Sequence, residues 1–247
     1  PSIIGLDSIY MFVQTLIVFF LGTGSLVMVS GSINFLVSLV FMLGFSVIVF
    51  YIVFNGKKDK LFVTMLAGVV FGSLFGSFST FMQVVIDPND FLIVQDKMFA
   101  SFNNVNVSIL KITMLILFLS LVYGYKNCDK LDIMALGRDI SLNLGIAYDS
   151  VIRKFMILIC IMTAVSTALV GPITFLGILT ANISRQILKT YKHSIMITGA
   201  ILLSIISIAF GQFIVERILT FRTTINVIIN FIGGIYFIYL LIKEGRL

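Results

Sequence analysis

The chain has 247 residues, of which 59% are hydrophobic and only 11% are charged, and its mean hydropathy is +1.13. A soluble domain carries about 25% charged residues, so the composition excludes a soluble globular protein. The net charge of +6 would suit a nucleic-acid-binding protein, but the basic residues lie at the ends of apolar segments, where membrane topology accounts for them. The apolar runs are continuous rather than alternating, which predicts an all-α, polytopic membrane helical bundle.

Eight apolar segments approach the length of about 20 residues that a membrane-crossing helix needs. They are residues 8–29, 33–54, 61–86, 107–125, 155–170, 172–187, 194–214 and 225–242. Residues 155–184 form one uncharged stretch, about 45 Å long as a single helix, which is long for one span and short for two. We expect a hairpin bent near Gly171 and Pro172, because proline lacks a backbone donor and disfavours helix propagation. Its second limb need not be a complete span.

The basic residues predict the orientation of the chain in the membrane. Thirteen of the 17 Lys and Arg residues fall in four clusters, which share one side if each interval between clusters contains two crossings. By the positive-inside rule that side is the cytoplasm, so we expect eight crossings with both termini cytoplasmic. The clusters are Lys57, Lys58 and Lys60, then Lys126, Lys130, Arg138, Arg153 and Lys154, then Arg185, Lys189 and Lys192, and finally Lys243 and Arg246.

Residues 131–145, LDIMALGRDISLNLG, are polar where the flanking sequence is apolar, and they fall in a predicted cytoplasmic loop. Gly137 interrupts their helical pattern and Gly145 is a natural helix stop. We expect two short helices at the membrane surface that offer a contact surface to another protein, with an ordinary loop between spans as the alternative. Helical periodicity predicts one apolar face, Ile133, Leu136, Ile140 and Leu144, and one polar face, Asp132, Asp139 and Asn143.

Gly68, Gly72 and Gly76 recur at four-residue intervals in the third apolar segment. Small residues at this spacing let helices approach closely in lipid. The pattern predicts either static helix packing or a smooth, hinge-capable helix that lines a passage.

The apolar segments hold almost no charge, and Lys111, the nearest exception, lies within a turn of an outer end. Ion-coupled carriers place ionisable residues at the midplane, so we expect the driving energy to enter from outside the bilayer. No phosphate-binding or catalytic motif occurs, so an enzyme is not expected. Cys128 and Cys160 lack metal-ligand spacing, and His193 is predicted to be an interfacial residue, so we expect no cofactor and no metal. An ion-coupled secondary transporter stays as the alternative.

Residues 171–185, GPITFLGILTANISR, resemble the signature of the iron-siderophore and cobalamin permeases of ATP-binding-cassette (ABC) importers, the FecCD family. That signature is approximately GxIxFVGLxxPHxxR, and the matching positions are Gly171, Ile173, Phe175, Gly177 and Arg185. Ala181 and Asn182 replace the Pro-His pair of the family, a departure that points to a subgroup.

Three more segments resemble the family in the right order. The segment MALGRDISLNLG is similar to the family's coupling segment LALGxxxAxxLG, with matches at Leu136, Gly137, Leu144 and Gly145. The C-terminal NFIGGIYFIYLLIKEGR resembles the family's last span, and the initial PSIIG resembles the end of the motif before its third span. The resemblance implies a single transmembrane permease domain over residues 1–247, with eight of the family's ten spans and without the first two.

The resemblance implies a permease that moves a ferric siderophore by alternating access and performs no covalent chemistry. The implied partners are cytoplasmic ABC ATPase subunits, an extracytoplasmic siderophore-binding protein, and a second permease copy or paralogue; nucleic acid is not among them. Residues 131–145 would be the cytoplasmic coupling segment, and Arg138 within it is this chain's own choice rather than the family's. The local sequence ASFNNVN resembles the sequences of the catecholate-type branch of the family.

Arg217, in the sequence IVERI, falls where permeases of this family use arginines at the outer rim to pair with acidic residues of the binding protein. The resemblance therefore implies a docking role for Arg217. The alternatives are an ion pair with the neighbouring Glu216 and a side chain that reaches along the apolar surface to the membrane interface.

Overall fold

The computed structural model describes residues 5–26, 31–54, 60–102, 105, 107–220 and 223–244. Lys57, Lys58, Arg246 and residues 1–4, which enter the arguments on orientation and on the initial motif, lie outside these ranges. The described residues form helices and connecting turns and contain no strand. The helices are α1 Leu6–Leu26, α2 Gly31–Phe54, α3 Lys60–Val85, α4 Pro88–Lys97, α5 Val107–Lys126, α6 Cys128–Met134, α7 Arg138–Asn143, α8 Tyr148–Val170, α9 Leu176–Leu188, α10 His193–Phe213 and α11 Ile225–Glu244, with a π-helical turn Ile214–Ile218 after α10.

Five of the described helices, α2, α3, α5, α8 and α10, are long and apolar enough to cross a membrane. The apolar parts of α1 and α11 that could be searched, Leu6–Phe20 and Ile225–Tyr236, are shorter. Helix α9 has 13 residues and is therefore about 20 Å long, less than the hydrocarbon thickness of a bilayer. The prediction of an all-α membrane protein is confirmed, whereas the count of eight crossings stays a prediction.

The chain divides into two compact units, and each is described by itself. Unit 1 comprises Pro1–Ser120 and Met156–Pro172, and unit 2 comprises Leu121–Phe155 and Ile173–Leu247. Unit 1 contains α1 to α4, and unit 2 contains residues 131–145 together with α9, α10 and α11. The single transmembrane domain over the whole chain stays a prediction.

In unit 1 the chain at the start of α1 lies directly against the middle of α3. Gly5 has φ +78°, and a Cβ added there would be 2.6 Å from the carbonyl oxygen of Gly68 and 3.2 Å from the Cα of Gly72. A Cβ added at Gly72 would be 3.3 Å from the Cα of Gly5, whereas one added at Gly76 would meet nothing within 4 Å. Gly68 and Gly72 thus permit the close approach of the backbones, and Gly76 has no part in it.

A buried polar cluster that the sequence analysis missed joins α1 to α2 and α3. Gln14, which is 2% exposed, donates to Oδ1 of Asn34 at 3.0 Å and to Oγ of Ser38 at 2.9 Å. Gln83 of α3 donates to Oγ1 of Thr15 at 3.2 Å. An amide in an apolar surrounding is costly unless it is hydrogen-bonded, so these bonds favour one rotational setting of the three helices.

The close approach at Gly72 generates a prediction with an internal control. Gly72→Val places two methyl groups against Gly5 and should lower the stability of the protein by about 1–3 kcal/mol, as overpacking does. Gly76→Val makes the same change in helix propensity one turn further along, in open space. Thermal unfolding of both purified variants in one detergent measures the difference. Equal losses of stability would contradict the assignment of Gly72 to the contact.

Candidate functional site

Residues 131–145 lie in unit 2 and form two short helices, as the sequence predicts. Helix α6 ends at Met134, and α7 runs from Arg138 to Asn143. Gly137 is the N-cap of α7 with φ +103°, and Gly145 follows α7 with φ +81°. Residues other than glycine rarely adopt such φ values. Both glycines, which match the family pattern, therefore occupy positions where a Cβ would strain the backbone.

The two short helices expose a group of apolar side chains, which we call the coupling surface. Its members and their exposed fractions are Leu136 58%, Ile140 49%, Leu142 46% and Leu144 59%. Ile133, predicted on the same face, is half-buried. Exposed apolar side chains in a group mark contacts with another protein or with lipid. Arg138 is also exposed and lies beside this surface in sequence.

Ser141 fixes the angle between α6 and α7. It is fully buried, and its Oγ lies 2.6 Å from the carbonyl oxygen of Gly137 and 3.1 Å from that of Ile133. The hydroxyl therefore shares its proton between the last turn of α6 and the first turn of α7. This serine stands where the family pattern has alanine, and the bond is specific to the hydroxyl.

The helical pattern predicts that Asp132 points to water. In the structure Asp132 instead caps the start of α10. Its Oδ1 accepts a hydrogen bond from the backbone N–H of His193 at 2.7 Å and lies 2.6 Å from Nδ1 of the same residue. His193 is the first residue of α10, where backbone N–H groups lack partners within the helix. The backbone hydrogen bond from His193 is the largest reason why the pKa of Asp132 is lowered, and it outweighs the opposing effect of burial.

Arg138 is paired only weakly within the chain. Its Nη2 lies 3.7 Å from Oδ2 of Asp149, and the two side chains are 61% and 45% exposed. An exposed pair of this kind contributes about 0–1 kcal/mol, so its loss on contact with a partner would cost little. The guanidinium thus stays accessible next to the coupling surface.

The signature residues are divided between the two units. Gly171, in unit 1, has φ +103°, and a Cβ there would be 3.0 Å from the Cα of Ala100. In unit 2, Phe175 packs on α11, where a Cβ added at Gly233 would be 3.0 Å from the Cβ of Phe175. A Cβ added at Gly177 would meet nothing within 4 Å, and Arg185 is exposed in the last turn of α9.

Helices α9 and α10 are joined by two polar contacts that the sequence did not reveal. Ser184, fully buried, donates to the carbonyl oxygen of Met196 at 3.0 Å. Ser204 donates to Oγ1 of Thr180 at 3.0 Å, and Thr180 is 2% exposed. A Cβ added at Gly199 would collide with the Ser184 hydroxyl, so this glycine leaves room for the side chains of α9 against α10.

Arg217 lies exposed in the π-helical turn Ile214–Ile218. The neighbouring Glu216 accepts a hydrogen bond from Nε2 of Gln212 at 2.9 Å. Across the described ranges, no salt bridge to Arg217 occurs, so the alternative of a pair with Glu216 is not what the structure adopts. Single π-helical turns occur frequently at functional sites.

Metal ligands do not cluster in the part of the chain that the structure describes, where no three His, Cys, Asp or Glu side chains come together. Cys128 and Cys160 are both buried and free. Burial raises the pKa of the Cys128 thiol at the start of α6, and the nearby carboxylates of Asp132 and Asp129 raise it further. A protonated, enclosed thiol is a poor nucleophile.

The family model of the FecCD transport family matches residues 1–243. The petrobactin import system permease protein YclO of Bacillus subtilis (strain 168) is 51% identical over 246 residues, covering 100% of this chain and 78% of YclO. The petrobactin import system permease protein FatC of Bacillus anthracis is 30% identical over 247 residues, covering 70% of FatC. The ferric enterobactin transport system permease protein FepG of Escherichia coli (strain K12) is 28% identical over 134 residues, which cover 53% of this chain and 39% of FepG.

A solved structure of a metal-chelate type ABC transporter in an inward-facing conformation superposes with a TM-score of 0.82. The match covers 98% of this chain and 75% of that one at 20% sequence identity. At this identity the likeness establishes the fold alone.

Proposed function

Because the chain belongs to the FecCD transport family, we propose that it is the transmembrane permease subunit of an ABC importer for a ferric siderophore. Two relatives, at 51% and 30% identity over the whole chain, are petrobactin import permeases. We therefore propose ferric petrobactin, a catecholate-type siderophore, as the first substrate to test. In this proposal the iron chelate is the cargo of the permease and not its cofactor.

The observation that carries the proposal is the exposed coupling surface on α6 and α7. Burying one leucine or isoleucine side chain contributes about 1.5–3 kcal/mol, so four such side chains left exposed on short polar helices favour a protein partner. We assign this surface, with Gly137 and Gly145 shaping it and Arg138 beside it, to the ABC ATPase. ATP is hydrolysed on that separate subunit, and its motion drives alternating access in the permease.

The distribution of charge supports an external source of energy. The candidate spans Gly31–Val49 and Met65–Val85 contain no Asp, Glu, Lys or Arg. In the candidate spans Ile109–Lys126, Tyr148–Val170 and His193–Ile218, the charged residues lie within two turns of an end. An ion-coupled secondary transporter, the second candidate, needs an ionisable site near the midplane.

The remaining assembly follows from the same proposal. Residues 131–145 and both chain termini would face the cytoplasm of a bacterium, and Arg217 would face the outside of the cytoplasmic membrane. There Arg217 would pair with an acidic side chain of the siderophore-binding protein, because an exposed guanidinium suits a carboxylate. A second permease copy or a paralogue would complete the passage, and Gly68 and Gly72 would pack the helices of each permease.

Transport energetics test the function directly. Cells lacking their own petrobactin permeases receive this permease with its ATPase and binding protein, and uptake of ⁵⁵Fe-loaded petrobactin is measured. Depleting ATP should abolish uptake, whereas an uncoupler at maintained ATP should leave most of it. Collapse of uptake with the uncoupler alone would favour the secondary transporter, and ferric hydroxamates serve as the control substrate that should not accumulate.

Reversing the charge of Arg138 tests the coupling surface. Arg138→Glu should reduce co-purification of the ATPase and siderophore uptake by about tenfold, since a charge facing a partner contributes roughly 1.5–3 kcal/mol. The control is Asp149→Asn, which removes the same weak internal pair and leaves Arg138 in place. Similar losses in both variants would show that the internal pair, and not the partner contact, is responsible.

Arg217 tests the outer face separately. Arg217→Glu should weaken binding of the siderophore-binding protein to permease in nanodiscs while the ATPase still co-purifies. Glu216→Gln, one residue away on the same turn, is the matched control, and the binding protein should dock on it normally. Unchanged docking affinity of Arg217→Glu would leave Arg217 as a residue of the membrane rim.

A further inference from the structure

Asp132 sits on α6 four residues before Leu136, the first member of the coupling surface. Its carboxylate oxygen reaches both the backbone N–H and the ring Nδ1 of His193, at 2.7 and 2.6 Å. The residues are 61 positions apart in the sequence, so this contact joins two separate elements of unit 2. Hydrogen bonds to a carboxylate are roughly twice as strong as neutral ones, and the start of a helix favours a negative charge.

The far side of the same turn of α10 is held by α9. Met196, one turn after His193, accepts the hydrogen bond from Ser184, and Gly199 lies against that hydroxyl. Two turns further, Ser204 donates to Thr180. The first half of α10 is therefore fixed to α6 at its start and to α9 along its length, all within unit 2.

We infer that Asp132 is a positioning residue that transmits movement of the coupling segment to α10, and through Ser184 and Thr180 to α9. The inference rests on the proposed function, since it needs an ATPase that moves α6 and α7. Helix α9 carries Gly177 and Arg185 of the family signature and starts directly after Phe175. Displacement of the coupling segment thus moves the signature helix as one body with α10.

The contact also predicts which of its two parts matters more. The backbone N–H of His193 is retained in every substitution of that residue except proline, whereas the ring contact is not. His193→Ala should therefore disturb transmission less than Asp132→Ala, which removes both contacts. Asp132→Asn keeps an oxygen that can accept from the backbone N–H without the charge, so it should be intermediate.

The experiment uses the complete transporter, with its ATPase and binding protein, reconstituted in liposomes. ⁵⁵Fe-petrobactin uptake and ATP hydrolysis are measured on the same preparation and expressed as siderophore moved per ATP. For Asp132→Ala this ratio should fall about tenfold, the loss typical of a hydrogen bond to a charged group, with the ATPase still bound and active. The order of the ratios should be wild type, His193→Ala, Asp132→Asn, Asp132→Ala.

Two controls separate transmission from simple structural support. Asp129→Asn removes an exposed carboxylate from the same helix α6. Tyr125→Phe removes a different hydrogen bond to α10, the 3.2 Å contact between Tyr125 and Thr198, which does not involve α6 or α7. Both controls should keep the wild-type ratio of siderophore moved per ATP.

The outcomes discriminate sharply. An Asp132→Ala ratio equal to that of Asp129→Asn overturns the inference, and so does a loss of uptake that merely follows loss of protein or of bound ATPase. If the Asp132→Ala protein does not accumulate in the membrane, the ratio of siderophore moved per ATP is compared between Asp132→Asn and Asp129→Asn by the same criterion. If the wild-type transporter moves siderophore and the Asp132 variants match its ratio, the inference alone is overturned. If the wild type shows no ATP-dependent uptake, the proposed function is overturned as well.

Discussion

The absence of water in the bilayer is the constraint on which the rest of this structure depends. A polar group in hydrocarbon must find its partner inside the protein, and a charge there costs several kcal/mol. The buried amide of Gln14 accordingly bonds to Asn34 and Ser38 of the neighbouring helix. In the candidate spans that the structure describes, the charged side chains accordingly lie within two turns of a helix end.

Close helix contact follows from the same constraint, because lipid gives apolar side chains no reason to prefer each other. Backbones must then approach until dispersion forces and exact fit hold them, which requires the missing side chain of glycine. Gly72 against Gly5 in unit 1 is such a contact, and in unit 2 Gly233 leaves room for the side chain of Phe175. Gly76 shows that the four-residue spacing alone does not identify them, since the position one turn away faces open space.

Periodicity and composition predict the helices, their breaks and the two short helices of residues 131–145, because these depend on residues that are near in sequence. The break at Gly137, with φ +103°, and the interruption between Val170 and Leu176 are of this kind. The pairing of Asp132 with His193 could not be predicted, since a carboxylate on a polar helix face looks the same whether it meets water or a distant helix. Only the tertiary arrangement brings the start of α10 to it.

Under the proposed function, the position of that carboxylate decides how movement of the ATPase reaches α10. An exposed apolar surface can bind a partner but passes on movement only if its base is fixed to something rigid. Ser141 fixes α7 to α6, and Asp132 fixes α6 to the first residue of α10. Because this second contact is made to the backbone of α10, it holds the helix axis itself rather than a side chain that could rotate away. The contact between α9 and α10 is of the same kind, since Ser184 of α9 bonds to the backbone carbonyl of Met196.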